Sequence, residues 1–111
     1  MSWPVFVINM ADNTTRMQSA AQDLDQCNIA FHRFDAVNGR QLSDAEVVDV
    51  YDPVANLKRA RHPSVKPEMG CYLSHIALWL EIANGPAAAG GIILEDDFVA
   101  DDYLADVLRA V

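Results

Sequence analysis

Ile92-Ile93-Leu94-Glu95-Asp96-Asp97-Phe98 is an apolar run that breaks off in three carboxylates, and its reading decides the fold. Three apolar residues behind Gly90-Gly91 suit the end of a buried strand, at the point where a sheet meets solvent. Open α/β sheets bind their ligands outside the carboxyl ends of the strands, so these acids stand where a ligand would. Hard oxygen donors there suit Mg²⁺ or Mn²⁺, ions that commonly accompany phosphate-bearing ligands. The same string also fits a strand followed by the acidic first turn of a helix, because Asp and Glu favour helix N-termini. On its own it does not separate the two.

Upstream, strands and helices alternate. Val5-Phe6-Val7-Ile8 is a continuous apolar run, as expected of a buried parallel strand ending at Asn9. Asp12-Asn13-Thr14-Thr15 offers several helix caps, and Thr15 with Gln18 has the spacing of a capping box. Met17, Ala20, Ala21 and Leu24 recur at helical spacing. Asp25 to Asn28 then turns the chain into a strand over 29–36, which ends in the Asn38-Gly39 turn; Gly39 is expected to serve that turn's backbone geometry. This is a β-α-β unit. Ser43-Asp44-Ala45-Glu46 is a capping box opening a short helix that Asp52-Pro53 closes.

Residues 54–67 read as an irregular, basic, mobile loop. Pro67-Glu68 suit the first turn of a long helix that stops at Gly85-Pro86. Its stripe of Met69, Leu73, Ile76, Leu80 and Ala83, flanked by Tyr72 and Trp79, predicts a largely buried helix. Gly70, Ser74, Ala77 and Glu81 make a smaller face suited to close packing against a loop or ligand. A last helix is expected from about Asp101.

At 111 residues with 51% hydrophobic and 22% charged content, the chain describes one ordinary globular domain. The net charge of −8 argues against nucleic acid as a partner. Lys58, Arg59, Arg61 and Lys66 are four of the 8 basic residues. Such a basic loop and the acidic strand end suit opposite sides of a metal-bound diphosphate, and equally two solvated surfaces. Cys27 and Cys71 lie too far apart for a zinc motif or disulfide framework; both are expected reduced, and Cys71 is most simply a small buried hydrophobe. No signal sequence or membrane-length apolar span is evident, so a cytoplasmic protein, at most peripheral at the inner membrane, is expected.

Four blocks in order resemble glycosyltransferase family 25. They are Val7-Ile8-Asn9-Met10 with Arg16, then Phe34-Asp35-Ala36-Val37-Asn38-Gly39, then Gly70-Cys71-Tyr72-Leu73-Ser74-His75 with Leu78-Trp79, then Leu94-Glu95-Asp96-Asp97. Each is weak alone; together they span nearly the whole chain. The resemblance implies lipopolysaccharide or lipooligosaccharide biosynthesis, typified by β-galactosyltransferases, and a Rossmann-like α/β GT-A fold. It implies UDP-galactose as the nucleotide-diphospho-sugar donor and a glycan or lipid-linked glycan acceptor.

By that resemblance Glu95-Asp96-Asp97 matches an acidic-x-acidic motif holding Mn²⁺ or Mg²⁺ on the diphosphate, with Asp97 and Glu95 as ligands. Asp97 is the first choice of ligand; three carboxylates on one small cation are unusual, so at least one is expected to act through hydrogen bonds, and Glu95 and Asp96 are both expected to contact metal-bound water, ribose or the donor sugar. Asn9, Arg16, Ser74 and His75 complete the implied donor site. A structural surface arginine and a helix histidine satisfied beside Trp79 are the plainer accounts of Arg16 and His75.

Family 25 domains continue past the acidic motif, so residues 1–111 are expected to be the N-terminal part of such a domain, without its acceptor portion. An inverting transferase needs a carboxylate to deprotonate the acceptor, and none here is a convincing candidate. A fragment, a short relative, or a homo-oligomer completing the fold through an exposed edge strand all fit this pattern. The competing functional classes are a non-catalytic nucleotide-sugar-binding or assembly module, and a metal-dependent phosphoryl hydrolase. The hydrolase lacks the nucleophile loop or histidine cluster it would use.

Overall fold

Val5–Asn9 forms strand β1, and its near-continuous burial follows from its place at the centre of a parallel sheet. The computed structural model describes residues 3–55, 64–86 and 89–111. Strand β2, His32–Asp35, and strand β3, Ile92–Glu95, flank β1 in the order β2-β1-β3, both parallel to it. The register sets Asn9 beside Asp35 and Ile8 beside Glu95. All three strands therefore deliver polar residues to the same carboxyl end. This is the parallel α/β arrangement of a Rossmann-like unit.

Helix α1, Thr14–Gln26, connects β1 to β2. Its cap is Asn13, whose side chain accepts from the Arg16 amide; the Thr15–Gln18 box does not form because Thr15 is already inside the helix. Asn28 ends α1 with a left-handed φ of 57°, while the Ile29 and Asn28 amides donate back to the Leu24 and Asp25 carbonyls. That pairing is a Schellman stop with asparagine in place of glycine. The turn displaces the start of β2 to His32, so Ile29 and Phe31 pack against the core ahead of the strand.

Val7, Ala20, Leu24 and Leu108 are the centre of the core on one face of the sheet. Leu108 comes from helix α4, Leu104–Ala110. Ile92 and Leu94 of β3 pack against this cluster but stay partly exposed. The buried strand end expected here is only partly buried, because among the described residues β3 is an edge with a neighbour on one side only.

Helix α2, Asp44–Val50, opens with the expected capping box: the Ser43 hydroxyl accepts from the Glu46 amide, and the Glu46 carboxylate accepts from the Ser43 amide. Helix α3, Lys66–Asn84, carries proline in its first turn and ends at Gly85, as expected. Its buried residues are Met69, Gly70, Ser74 and Leu78. Tyr72, Trp79 and Leu80 are exposed by 56%, 57% and 59%. Of the apolar stripe only Met69 is buried, Leu73 and Ile76 are half-buried and Leu80 and Ala83 are exposed, whereas Gly70 and Ser74 of the small face are fully inward.

The reason is steric. A Cβ on Gly70 would sit 2.5 Å from the Gly39 nitrogen and 2.7 Å from the Val37 oxygen, and one on Gly39 would overlap the Lys66 carbonyl. Two glycines thus let the backbone of α3 touch the short 3₁₀ turn Gly39–Gln41, and this contact selects which helix face turns inward. The expected role of Gly39 is corrected accordingly: it keeps space for a helix, and its φ is not left-handed. Among the described residues, no helix is long and apolar enough to cross a membrane.

Candidate functional site

The carboxyl ends of β1 and β3, the start of α1, the loop after β2 and the first turns of α3 enclose one cleft of about 550 Å³. Arg16, Ser74, Glu95, Asp96 and Asp97 line it, together with Arg40 and Cys71. Asn9 lies behind this wall and His75 beside it.

Asn9 is 2% exposed. Both its amide hydrogens are committed: Nδ2 donates to the Asn13 carbonyl at 3.0 Å and to Asp96 Oδ2 at 2.7 Å. Its Oδ1 accepts from Arg33 Nε at 2.9 Å, and Arg33 Nη2 donates to the Asn9 carbonyl and to Asp35 Oδ1, each at 2.9 Å. Asn9 is therefore a brace with no donor left for a ligand. It joins β1 to the cap of α1 and to the acidic turn after β3, while Arg33 ties it to the end of β2. Arg33 escaped the sequence reading because β2 shows no periodicity that marks one of its side chains as inward.

Asp96 is held twice more. Its amide donates to the Ile8 carbonyl at 3.2 Å, extending the β1–β3 ladder by one residue. Its Oδ1 lies 3.6 Å from Arg16 Nη1, with the Asp96 side chain 12% exposed and that of Arg16 56%. Arg16 thus places a cation at the cleft mouth while offsetting the charge of Asp96. Asp97, on the next residue of the turn, is exposed to the cleft. Among the described residues its carboxylate has no hydrogen-bonding or ionic partner.

Ser74 is 1% exposed. Its hydroxyl donates to the Gly70 carbonyl at 2.7 Å and accepts from the Val37 amide at 2.8 Å. It pins α3 to the loop after β2, the same junction that Gly39 and Gly70 permit. Lys66 adds to the junction through a 2.8 Å bond from Nζ to the Leu42 carbonyl. Lys58, Arg59 and Arg61 of the expected basic loop lie outside the described residues.

Cys71 corrects another expectation. It is exposed on the cleft wall, not buried, because the inward turn of Gly70 and Ser74 rotates its neighbour toward solvent. Its thiol donates to Glu95 Oε1 at 3.0 Å, and His75 Nε2 lies 3.4 Å from the same oxygen. The hydrogen bond to Glu95, then burial, then the charges of Glu95 and Asp97 push the Cys71 thiol from 9.0 up to about 11. The bond from Cys71 holds the Glu95 carboxyl below its ordinary value; burial opposes this and His75 reinforces it. The ring of His75 meets Trp79 edge-on, with centroids 6.3 Å apart. Cysteine and histidine four residues apart on one helix was the signal available in the sequence, masked by the apparent burial of Cys71.

Residues 2–111 match the family described as glycosyltransferase family 25 (LPS biosynthesis protein). The chain is 30% identical over 110 residues to procollagen galactosyltransferase 1-A of Xenopus laevis, which covers 96% of the chain and 18% of that protein. It is 31% identical to a glycosyltransferase 25 family member of Anopheles gambiae, over 84% of the chain and 16% of that protein. It is also 33% identical over 102 residues to a Mus musculus protein named inactive glycosyltransferase 25 family member 3, with the same two shares. The chain thus spans less than a fifth of the length of these relatives.

Proposed function

Because this chain belongs to glycosyltransferase family 25, we propose that it carries the donor-binding end of a metal-assisted glycosyltransferase with a GT-A fold. The donor is a nucleotide-diphospho-sugar, UDP-galactose by analogy with the galactosyltransferases among its relatives. The acceptor is a glycan or lipid-linked glycan, of lipopolysaccharide in the setting named by the family, and the protein works in the cytoplasm. One observation carries this reading: the acids after β3, the start of α1 and the loop after β2 converge on a single cleft. Its volume of about 550 Å³ is that of a site for a small organic ligand.

The donor set fits a hard cation. Glu95 and Asp97 present exposed carboxylates to the cleft, two residues apart across a tight turn, whereas Asp96 is held by Asn9 and Arg16. Glu95 and Asp97 would hold Mn²⁺ or Mg²⁺ on the diphosphate, where the ion supplies Lewis-acid stabilisation of the departing nucleotide diphosphate. Arg16, half-exposed at the cleft mouth, offers the diphosphate a second positive charge, and the N-terminus of α1 offers backbone amides. Asn9 and Ser74 take part by holding this wall rigid, not by touching the donor.

The test is calorimetric titration with UDP-galactose and other nucleotide sugars, with and without Mn²⁺. Metal-dependent binding that disappears in Asp97→Asn is expected. Absence of binding to every nucleotide sugar tested, with or without metal, overturns the reading. The likeness to a relative named inactive favours a second reading, a binding module without turnover. Donor binding with no donor hydrolysis or transfer to any glycan acceptor would select it.

A further inference from the structure

We propose that Cys71, His75 and Glu95 form a second cation site, selective for a borderline-soft divalent ion of the Zn²⁺ class and open at one coordination position. Cys71 and His75 stand four residues apart on α3, the spacing that sets two side chains on one helix face, one turn apart. Glu95 ends β3 opposite them. One donor atom from each of the three lies within 4.8 Å of the other two. Two of the separations are known individually: 3.0 Å from Cys71 Sγ to Glu95 Oε1 and 3.4 Å from His75 Nε2 to the same oxygen.

These distances can be set against a tetrahedral ion. Bonds of about 2.3 Å to sulfur and about 2.0 Å to nitrogen and oxygen place neighbouring donors roughly 3.3–3.6 Å apart. The His75–Glu95 separation of 3.4 Å already falls in that range, and the Cys71–Glu95 separation of 3.0 Å is about half an ångström short of the sulfur–oxygen value. On binding, the thiol proton that now points at Glu95 leaves to solvent, and a sulfur–metal bond forms where the hydrogen bond was.

The donor chemistry separates this site from the acidic pair. Sulfur, imidazole nitrogen and one carboxylate suit Zn²⁺ or Co²⁺, whereas Mg²⁺ and Mn²⁺ favour oxygen throughout. Three protein ligands with a free position is the pattern of an exchangeable zinc site, not of a closed structural one. Cys71 and Glu95 both line the cleft, so the free position is accessible to water. Only Glu95 is shared with the acidic pair, so a soft ion bound here withdraws that carboxylate from Asp97. The proposal stands on these three side chains and does not depend on the donor-binding reading.

Titration of the reduced, chelator-treated protein with Co²⁺ tests it. One equivalent is expected to bind with a thiolate-to-cobalt charge-transfer absorption in the near ultraviolet, which Zn²⁺ abolishes by displacement. Cys71→Ser should remove the band, and His75→Ala should weaken Co²⁺ binding roughly tenfold or more. Cys27→Ser and Asp97→Asn should leave the band intact. Absence of the band at stoichiometric Co²⁺, its survival in Cys71→Ser, or its loss in Cys27→Ser overturns the proposal. Circular dichroism of each variant identifies any that misfolds, and His75→Ala then stands as the independent test. Asp97→Asn also separates the two sites: the donor reading predicts loss of Mn²⁺-dependent nucleotide-sugar binding there, while the cobalt band persists.

Discussion

Removing the side chain of Asn9 should unlock the acidic turn from the rest of the sheet. Asn9→Ala deletes three side-chain hydrogen bonds: one to the Asn13 carbonyl, one to Asp96 and one to Arg33. A neutral bond contributes about 0.5–1.5 kcal/mol and a bond to a charged group about 1.5–3 kcal/mol. The three together set a ceiling of roughly 3.5–7.5 kcal/mol. The actual loss is smaller because the partners are unequal in their access to water. The Arg33 side chain is 35% exposed and regains much of its bond from solvent, while Asp96, at 12%, regains little.

A loss of about 3 kcal/mol is therefore expected from urea denaturation, read as a lower midpoint with an unchanged slope. The coupling is the sharper measurement. In a double-mutant cycle of Asn9→Ala with Asp96→Ala, the two losses should fail to add by about 1–2 kcal/mol, because one bond is deleted twice. Additivity within about 0.5 kcal/mol, or a loss below about 1 kcal/mol for Asn9→Ala alone, would refute the account of Asn9 as the brace of the site.

The junction between α3 and the 3₁₀ turn makes a second expectation. Gly70→Ala gains about 1 kcal/mol in helix propensity but places a methyl 2.5–2.8 Å from backbone atoms that have no side-chain freedom to yield. A net loss of about 1–3 kcal/mol is expected by thermal or urea melting, and a stabilised variant would contradict the packing described.

The Cys71–Glu95 pair makes a third, in the dependence on pH. The raised Cys71 value means that its contribution to stability is fully present below its ordinary 9.0 and is lost as pH rises toward about 11. The lowered Glu95 value means that its contribution is present above the ordinary carboxylate range and is lost as pH falls through the lower folded value. Cys71 should accordingly alkylate slowly near neutral pH despite its exposure. Glu95→Gln should raise that rate on the order of three- to tenfold, since recovered thiolate outweighs the fall in nucleophilicity. An unchanged rate of iodoacetamide labelling, followed by mass spectrometry at Cys71, would contradict the pairing.

Much of the architecture was legible because its causes are local. The apolar run 5–8 and the β-α-β unit, the capping box at Ser43, proline at the start of α3 and Gly85 at its end each depend on residues within one or two turns. The carboxylates after β3 marked the carboxyl end of the sheet for the same reason: a strand's period and its abrupt polar stop are written in consecutive residues.

The misreadings share another cause. The apolar stripe on α3 is real, yet Gly39 and Gly70, distant in sequence, bring two backbones into contact and turn Gly70 and Ser74 inward. That single contact exposes Tyr72 and Trp79, and carries Cys71 to the cleft wall. The commitment of Asn9 and Ser74 to structural hydrogen bonds was likewise invisible, since each is matched by a partner from another element.

Periodicity, caps and charge placement, which act through neighbouring residues, suffice to specify a parallel α/β unit with acids at the carboxyl end of its sheet. Which helix face is buried, which polar side chains are consumed in bracing, and which donor atoms remain free depend on contacts between residues far apart in the chain. Steric exclusion and hydrogen-bond pairing at those contacts are properties of the assembled backbone. The sulfur, nitrogen and oxygen donors of Cys71, His75 and Glu95 meet only because α3 is set against the 3₁₀ turn and β3 is paired with β1.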